Sequence, residues 1–329
     1  MGAALKRWAR PIAIIVVAIL AVFAVRRLDP EQALGVLRSA NVGWVIVAMI
    51  INATLRIGTR VLRTRALLSA LPGSVSLREL AHIVYGTSAL GYIASPIAGS
   101  AARVFALRHH GVPTESVVAA QLWEKVVAGV ALAAFAGPML ARDNSSAVHY
   151  PLLVATILGT VGIVVALVVV TAFRRFEQDL DRMALSGVRR WLFGLGRSLS
   201  ALHDFGILVR AFVWSTLSEL ADVVMLALSL HALGLPVDPA ACVLGYIAVN
   251  TAAAIPSTPG QIGVFEATAA WALVASGIPE ASALACAILY HLIHILPSLV
   301  AGLPSLLRLR MERKQVEEIE RSQRMTAQQ

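Results

Sequence analysis

Charge is what this chain has least of. Asp, Glu, Lys and Arg together make up 14% of its residues, against about 25% in a soluble globular domain. Hydrophobic residues reach 58% and the mean hydropathy is +0.75, so a water-soluble fold is excluded. Cysteine is nearly absent. Cys242 and Cys286 both lie inside apolar runs, which excludes a disulfide framework or a cysteine zinc site. A phosphate-cradling glycine loop, a metal-binding helix motif and a nucleophile motif are also missing, and Ser95 and Ser257 have no His/Asp context. No cofactor and no enzymatic activity are expected. The alternation of a membrane β-barrel is absent too, so the spans are expected to be helices, which satisfy their own backbone hydrogen bonds.

The net charge of +9 does not point to nucleic acid. Most Lys and Arg sit in short segments flanking apolar runs, where they set membrane orientation. Lys6, Arg7 and Arg10 place the N-terminus in the cytoplasm. The apolar run 11–25 resembles a signal peptide, but no Ala-x-Ala site follows it, so it reads as an uncleaved first span.

The strongest pattern present is a near-repetition. Ser95-Pro96-Ile97-Ala98-Gly99 interrupts one apolar stretch, and Pro256-Ser257-Thr258-Pro259-Gly260 interrupts another. Gly111, Pro113 and Pro138 then recur as Gly277, Pro279 and Pro304, each shifted by 166 positions. Matching broken segments in two halves point to a transporter-like binding site.

The positive-inside rule orients the rest. Spans are expected near 42–62, 114–138, 151–173, 207–233 and 279–303 besides the first. The cations at 60–65, at 174–203 and at 308–314 all become cytoplasmic if 77–110 is a hairpin entering from the cytoplasm and 237–276 a hairpin entering from outside. The predicted fold is therefore an all-α polytopic membrane protein: six spanning helices and two re-entrant broken-helix hairpins. Its repeats, about 42–141 and 208–307, have inverted topology and are joined by a cytoplasmic loop at 174–206. They form one domain over 1–310, followed by a polar cytoplasmic tail at 311–329. Around Trp191, Leu195, Leu199 and Leu202 the spacing predicts an amphipathic helix on the inner surface. The competing reading is a pair of ordinary kinked spans, since Pro and Gly are common in membrane helices.

Charge within an apolar span costs at least roughly 2.5–3.5 kcal/mol on insertion scales, so each case needs a reason. Glu124 and Lys125 fall mid-span, as do Glu219 and Asp222, which are three apart and share a face. Arg103 and Glu266 follow the two breaks, and Arg56, Arg60 and Arg63 share a face of the second span. Pro96, Gly99, Pro259, Gly260 and Gly263 let the backbone turn inside the membrane, aiming freed amides at an anionic guest. The bland alternative is a set of buried ion pairs that only position helices, with arginines near a span end snorkelling outward. His291 and His294 could relay protons, although a histidine on an apolar helix more often just finds a backbone partner.

The stretch from Pro256 to Glu266, with Gly277-Ile278-Pro279 downstream, resembles the transmembrane domain of lysylphosphatidylglycerol synthases. Ser95-Pro96-Ile97-Ala98-Gly99-Ser100-Ala101-Ala102-Arg103 is similar to the family's Pro-x-x-x-Gly-Glu-x-x-Arg region, and Trp123-Glu124-Lys125 to its Glu-Arg-x-x-Asp. Ser100 stands where the family often has Glu, Gly129 lies near its Asp, and Gln261 replaces a common Gly. The resemblance covers about residues 10 to 310. Only residues 310–329 follow Leu309, too few for the family's aminoacyl-transferase domain. It implies a flippase-like protein of the bacterial inner membrane, both termini cytoplasmic, that handles an amphiphile with an anionic head such as a phospholipid or polyprenyl phosphate. Related stand-alone members in hopanoid and glycolipid pathways imply the alternative of a non-transporting accessory protein. The expected partners are a membrane lipid and, as further candidates, a lipid-biosynthetic enzyme and a second copy of the chain.

Overall fold

The computed structural model describes residues 30–140, 162, 171, 187–202, 204–252 and 258–326. The expected first span, the fourth span apart from residues 162 and 171, the loop 141–150 and residues 174–186 lie outside them. Every element among the described residues is helical. The helices are α1 (Pro30–Arg38), α2 (Val42–Leu68), α3 (Leu77–Ile93), α4 (Pro96–His109), α5 (Thr114–Leu140), α6 (Gly187–Ala201), α7 (Phe205–Ala232), α8 (Pro239–Ala252), α9 (Val264–Ala275) and α10 (Glu280–Thr326).

Local chemistry sets their starts. Asn41 caps α2 by accepting from the Gly43 N–H at 3.0 Å, Ser76 and Glu79 close a capping box on α3, and Asp204 accepts from the Ile207 N–H. Each satisfies an amide with no partner inside its helix. Four helices are long and apolar enough to cross a membrane: Val42–Leu68, Thr114–Phe135, Phe205–Ala232 and Glu280–Leu309. Val42, Trp44, Ile46, Val47 and Ile50 on α2, and Leu292, Leu296, Val300 and Leu303 on α10, are exposed, the pattern of lipid-facing surfaces.

The two broken regions differ from these spans. α3 and α4 have 17 and 14 residues, and α8 and α9 have 14 and 12. At 1.5 Å per residue the longest is roughly 25 Å, short of the ~30 Å hydrocarbon core. Contacts in the two halves match: α3 packs on α4 as α8 packs on α9, α4 on α5 as α9 on α10, α2 on α3 as α7 on α8, and α2 on α5 as α7 on α10. The ends of α4 and α9 match to the atom pair. Val112 N–H bonds Leu107 O and Gly111 N–H bonds Arg108 O, while Ile278 N–H bonds Leu273 O and Gly277 N–H bonds Val274 O. Both are Schellman motifs with the glycine at positive φ, 78° and 88°.

Three expectations are refined. Pro138 and Pro304 do not end their helices: α5 continues to Leu140, and α10 runs through Pro297 and Pro304 to Thr326, so part of the expected tail continues that helix. The amphipathic helix exists as α6, but its Leu195 and Leu199 pack against Leu67, Ala119, Ala120 and Trp123 of the protein itself. Of its large apolar residues only Val188, Leu192 and, at the margin, Trp191 are exposed, beside Arg189, Arg190 and Arg197. Close packing of α3 on α10 rests on two glycines: a Cβ on Gly86 would lie 2.9 Å from Leu306 N, and one on Gly302 would strike Tyr85 O.

Candidate functional site

A cavity of ≈ 260 Å³ lies between the two breaks. α3 and α4 contribute Thr87, Ser88, Gly91, Tyr92, Pro96, Gly99, Ser100 and Arg103, and the second broken region contributes Val249, Asn250, Gly260, Gln261 and Phe265. Arg56 and Arg60 of α2, Lys125 of α5, Asp222 of α7, and Tyr290 and His294 of α10 complete the wall. Pro96, Ser100 and Lys125 are exposed and mark its mouth.

The first break is tight. Ser95 Oγ accepts from the Ala98 N–H at 3.1 Å, and Pro96 opens α4, where its missing N–H costs nothing. Gly99 then passes so close to α3 that a Cβ would lie 2.6 Å from Thr87 O. Of the second break, residues 253–257, Pro256 and Ser257 among them, lie outside the described residues. Pro259–Gln261 forms a 3₁₀ turn, and Gly260, Gln261 and Gly263 all have positive φ. Glu266 reaches back to accept from the Gly263 N–H at 2.7 Å. His291 braces the turn from α10, with Nδ1 2.7 Å from Glu266 Oε1 and Nε2 donating to Gly260 O at 3.0 Å. Its ring stacks on Phe265 at 4.2 Å.

Two ion-pair networks flank the cavity. In the first, Arg56 Nε lies 2.5 Å from Asp222 Oδ1, and His294 Nε2 approaches the same oxygen at 2.7 Å. His294 Nδ1 donates to Tyr290 O at 2.8 Å. In the second, Glu124 Oε2 takes Arg103 at 3.2 Å and Arg63 at 3.7 Å, while Oε1 accepts from Thr64 Oγ1. Arg63 also donates to Ser215 Oγ at 3.1 Å. Arg60 and Lys125 stand outside both networks. Neither side chain has an ion pair or hydrogen bond among the described residues, and Arg60 Nε is buried without an acceptor.

Of the residues singled out from the sequence, Arg56, Arg60, Pro96, Gly99, Arg103, Lys125, Asp222 and Gly260 line one cavity. Glu124 holds Arg103 from behind, and Glu266 and Gly263 shape the second break. Pro259 begins the 3₁₀ turn but is exposed. Glu219 goes elsewhere: it is buried, accepts from Tyr246 Oη at 2.8 Å and does not line the cavity, although Asp222 three residues on does.

Sequence reasoning missed Asn52. Pro297 has no N–H to give, which leaves the carbonyl of Ile293 without its helical partner. Asn52 Nδ2 donates to that carbonyl at 2.6 Å and to His294 O at 3.0 Å. It sits at the start of a π-helical turn, Asn52–Arg56, and its Oδ1 accepts from Arg56 Nη1 at 3.3 Å. One buried side chain thus joins the backbone next to Pro297 of α10 to the arginine that holds Asp222. The clue in the sequence was a lone Asn in an apolar span. His294 is likewise more than a backbone partner.

The model of the lysylphosphatidylglycerol synthase TM region matches residues 11–302. This chain belongs to that family. No curated protein sequence matches it. The family region spans all four long apolar helices through residue 302 together with both breaks. Gln261 has φ 61, a left-handed backbone that glycine adopts without strain.

Proposed function

We propose that this protein binds a membrane amphiphile by an anionic headgroup, such as a phospholipid or polyprenyl phosphate, and carries it between leaflets. The observation behind the reading is that the Arg60 and Lys125 side chains line the cavity without an ion pair among the described residues. Arg56, Arg60, Arg63, Arg103 and Lys125 lie with Asp222, Glu124 and Glu219 along or beside a cavity bordered by two broken helices. Charge at membrane depth without a partner is expensive, and a phosphate supplies the missing counter-charge and the acceptor for Arg60 Nε. In this reading α3/α4 and α8/α9 are re-entrant hairpins entering from opposite faces, the repeats are inverted, and the termini lie in the cytoplasm of a bacterial cell. No covalent step is assigned.

The test is leaflet exchange in proteoliposomes carrying fluorescent phosphatidylglycerol, with headgroup quenching as readout. The natural chain should accelerate exchange above protein-free vesicles, and the Arg60→Gln/Lys125→Gln double variant should return it to that background at equal reconstituted protein. Lipid binding without any acceleration would favour a non-transporting accessory role beside a lipid-biosynthetic enzyme.

A further inference from the structure

His291 meets an oxygen at each nitrogen of its ring. Nδ1 lies 2.7 Å from Glu266 Oε1, and Nε2 lies 3.0 Å from Gly260 O. A backbone carbonyl and an ionised carboxylate can only accept. A neutral imidazole has one N–H and one lone pair. Beside an ionised Glu266 it would satisfy one contact and set its lone pair against oxygen at the other. Two arrangements satisfy both contacts: an imidazolium beside a carboxylate, or a neutral ring whose Nδ1 accepts from a protonated Glu266. Each holds one proton more than neutral His291 with ionised Glu266. His291 is buried, where an unmatched polar contact is costly.

The same pair ties the second break to α10. Glu266 Oε2 accepts from the Gly263 N–H, so a chain of bonds runs from Gly260 O through His291 and Glu266 to Gly263. Two further bonds, Thr258 Oγ1 to Ile262 O and Gln261 N–H to Thr258 O, stay within the turn. Gly260 lines the cavity, which puts the latch on its wall. His294 is placed alike, between Tyr290 O and Asp222 Oδ1, but Arg56 also holds that carboxylate, and neither contact touches the break. The other titratable groups around the pair are engaged apart from it. α7 brings Asp222, held by Arg56 of α2 and by His294, and Glu219, which takes Tyr246 of α8. α3 brings Tyr92, whose carbonyl lies beside Gly260, Tyr85, which donates to Ala53 O, and His82, which meets Ser305. On α10, Tyr290 donates to Asp222 O. α1 packs through Ala33, Val36 and Leu37 and leaves Glu31 and Arg38 exposed.

We infer that Glu266 and His291 form a proton-binding site, and that release of its proton unlatches the second break from α10. Without the proton, either Gly260 O or Glu266 Oε1 faces a lone pair and is pushed away. The latched turn binds one proton more than the unlatched one, so rising pH favours the unlatched form. The unlatched-to-latched ratio should grow about tenfold per pH unit once the released state is deprotonated. The inference concerns the latch and holds whatever the cavity binds.

The experiment is electron paramagnetic resonance of the full chain in phosphatidylcholine vesicles, with a nitroxide on Ile262→Cys. Ile262 is exposed and the natural Cys242 and Cys286 are buried, which confines the label to the turn. Across about pH 5 to 9, the range that histidine ordinarily spans, the label should pass reversibly from immobile to mobile along a one-proton curve. Glu266→Gln should abolish the transition and keep the label immobile throughout. Its carboxamide donates to Nδ1 of a neutral His291 and still accepts from Gly263 N–H, so both ties survive without a titrating proton. His291→Ala should leave the label mobile throughout. A natural chain with no transition, a transition that persists in Glu266→Gln, or an immobile label in His291→Ala at high pH would each overturn the inference. None of these outcomes bears on the anionic-head reading, since no lipid is titrated.

Discussion

The two breaks occupy equivalent places in two similarly packed halves, yet they are built by different chemistry. The first is a capped helix start: Ser95 accepts an amide, Pro96 fixes the entry, and Gly99 lets α4 lie against α3. The described part of the second is a turn with three positive-φ residues, Gly260, Gln261 and Gly263, held by Glu266 and His291. The charges divide in the same way. Cations of the cavity come from the first half, at Arg56, Arg60, Arg103 and Lys125, whereas Asp222 and His294 come from the second. A repeated backbone frame therefore does not imply a repeated site. Packing constrains where helices end, and the side chains at those ends are free to diverge into a cationic wall and a neutral or acidic one.

The largest effect should come from removing the link between the halves. Arg56→Ala leaves Asp222 buried beside His294 alone and also deprives Asn52 of a partner. Breaking one side of a buried pair costs about 3–5 kcal/mol, so the variant should accumulate poorly and unfold at much lower temperature. A near-normal thermal midpoint would show that the two halves do not depend on this contact.

The breaks should fail in different ways. Gly99→Ala forces a Cβ against the Thr87 carbonyl, a backbone atom that cannot swing aside, at a cost of about 1–3 kcal/mol typical of overpacking. Gly260→Ala meets Tyr92 O only at 3.3 Å but must hold φ 67, costing about 1–2 kcal/mol. Gly99→Ala should lower the midpoint more. The reverse order would mean that the first break is the looser one.

The smallest effect should be the most symmetric. Gly111 and Gly277 close identical motifs, and a Cβ on either would meet nothing within 4 Å. Gly111→Ala and Gly277→Ala should each cost about 1 kcal/mol, from the left-handed backbone alone. Chemical denaturation of the two variants side by side would measure this. A clear inequality would show that the helix ends are equivalent in geometry but not in energy.

The sequence by itself determined the all-helical membrane class, the places of both breaks and most of the cavity's cations. These rest on local rules: apolar runs need helices, Pro and Gly interrupt them, and charge at membrane depth needs a purpose. The resemblance implied a departure at Gln261, but its positive φ was not legible. Tertiary structure decided which charges meet. Glu219 and Asp222 share a face in the sequence, yet one turns to Tyr246 and the other to Arg56, because α8 packs beside one and α2 and α10 beside the other. Asn52 gained its role from a carbonyl freed by a proline 245 positions later in the chain. No local pattern carries such a pairing, since an unsatisfied group inside a bundle is satisfied by whatever neighbour the fold brings to it, and that neighbour is fixed only when the helices are packed.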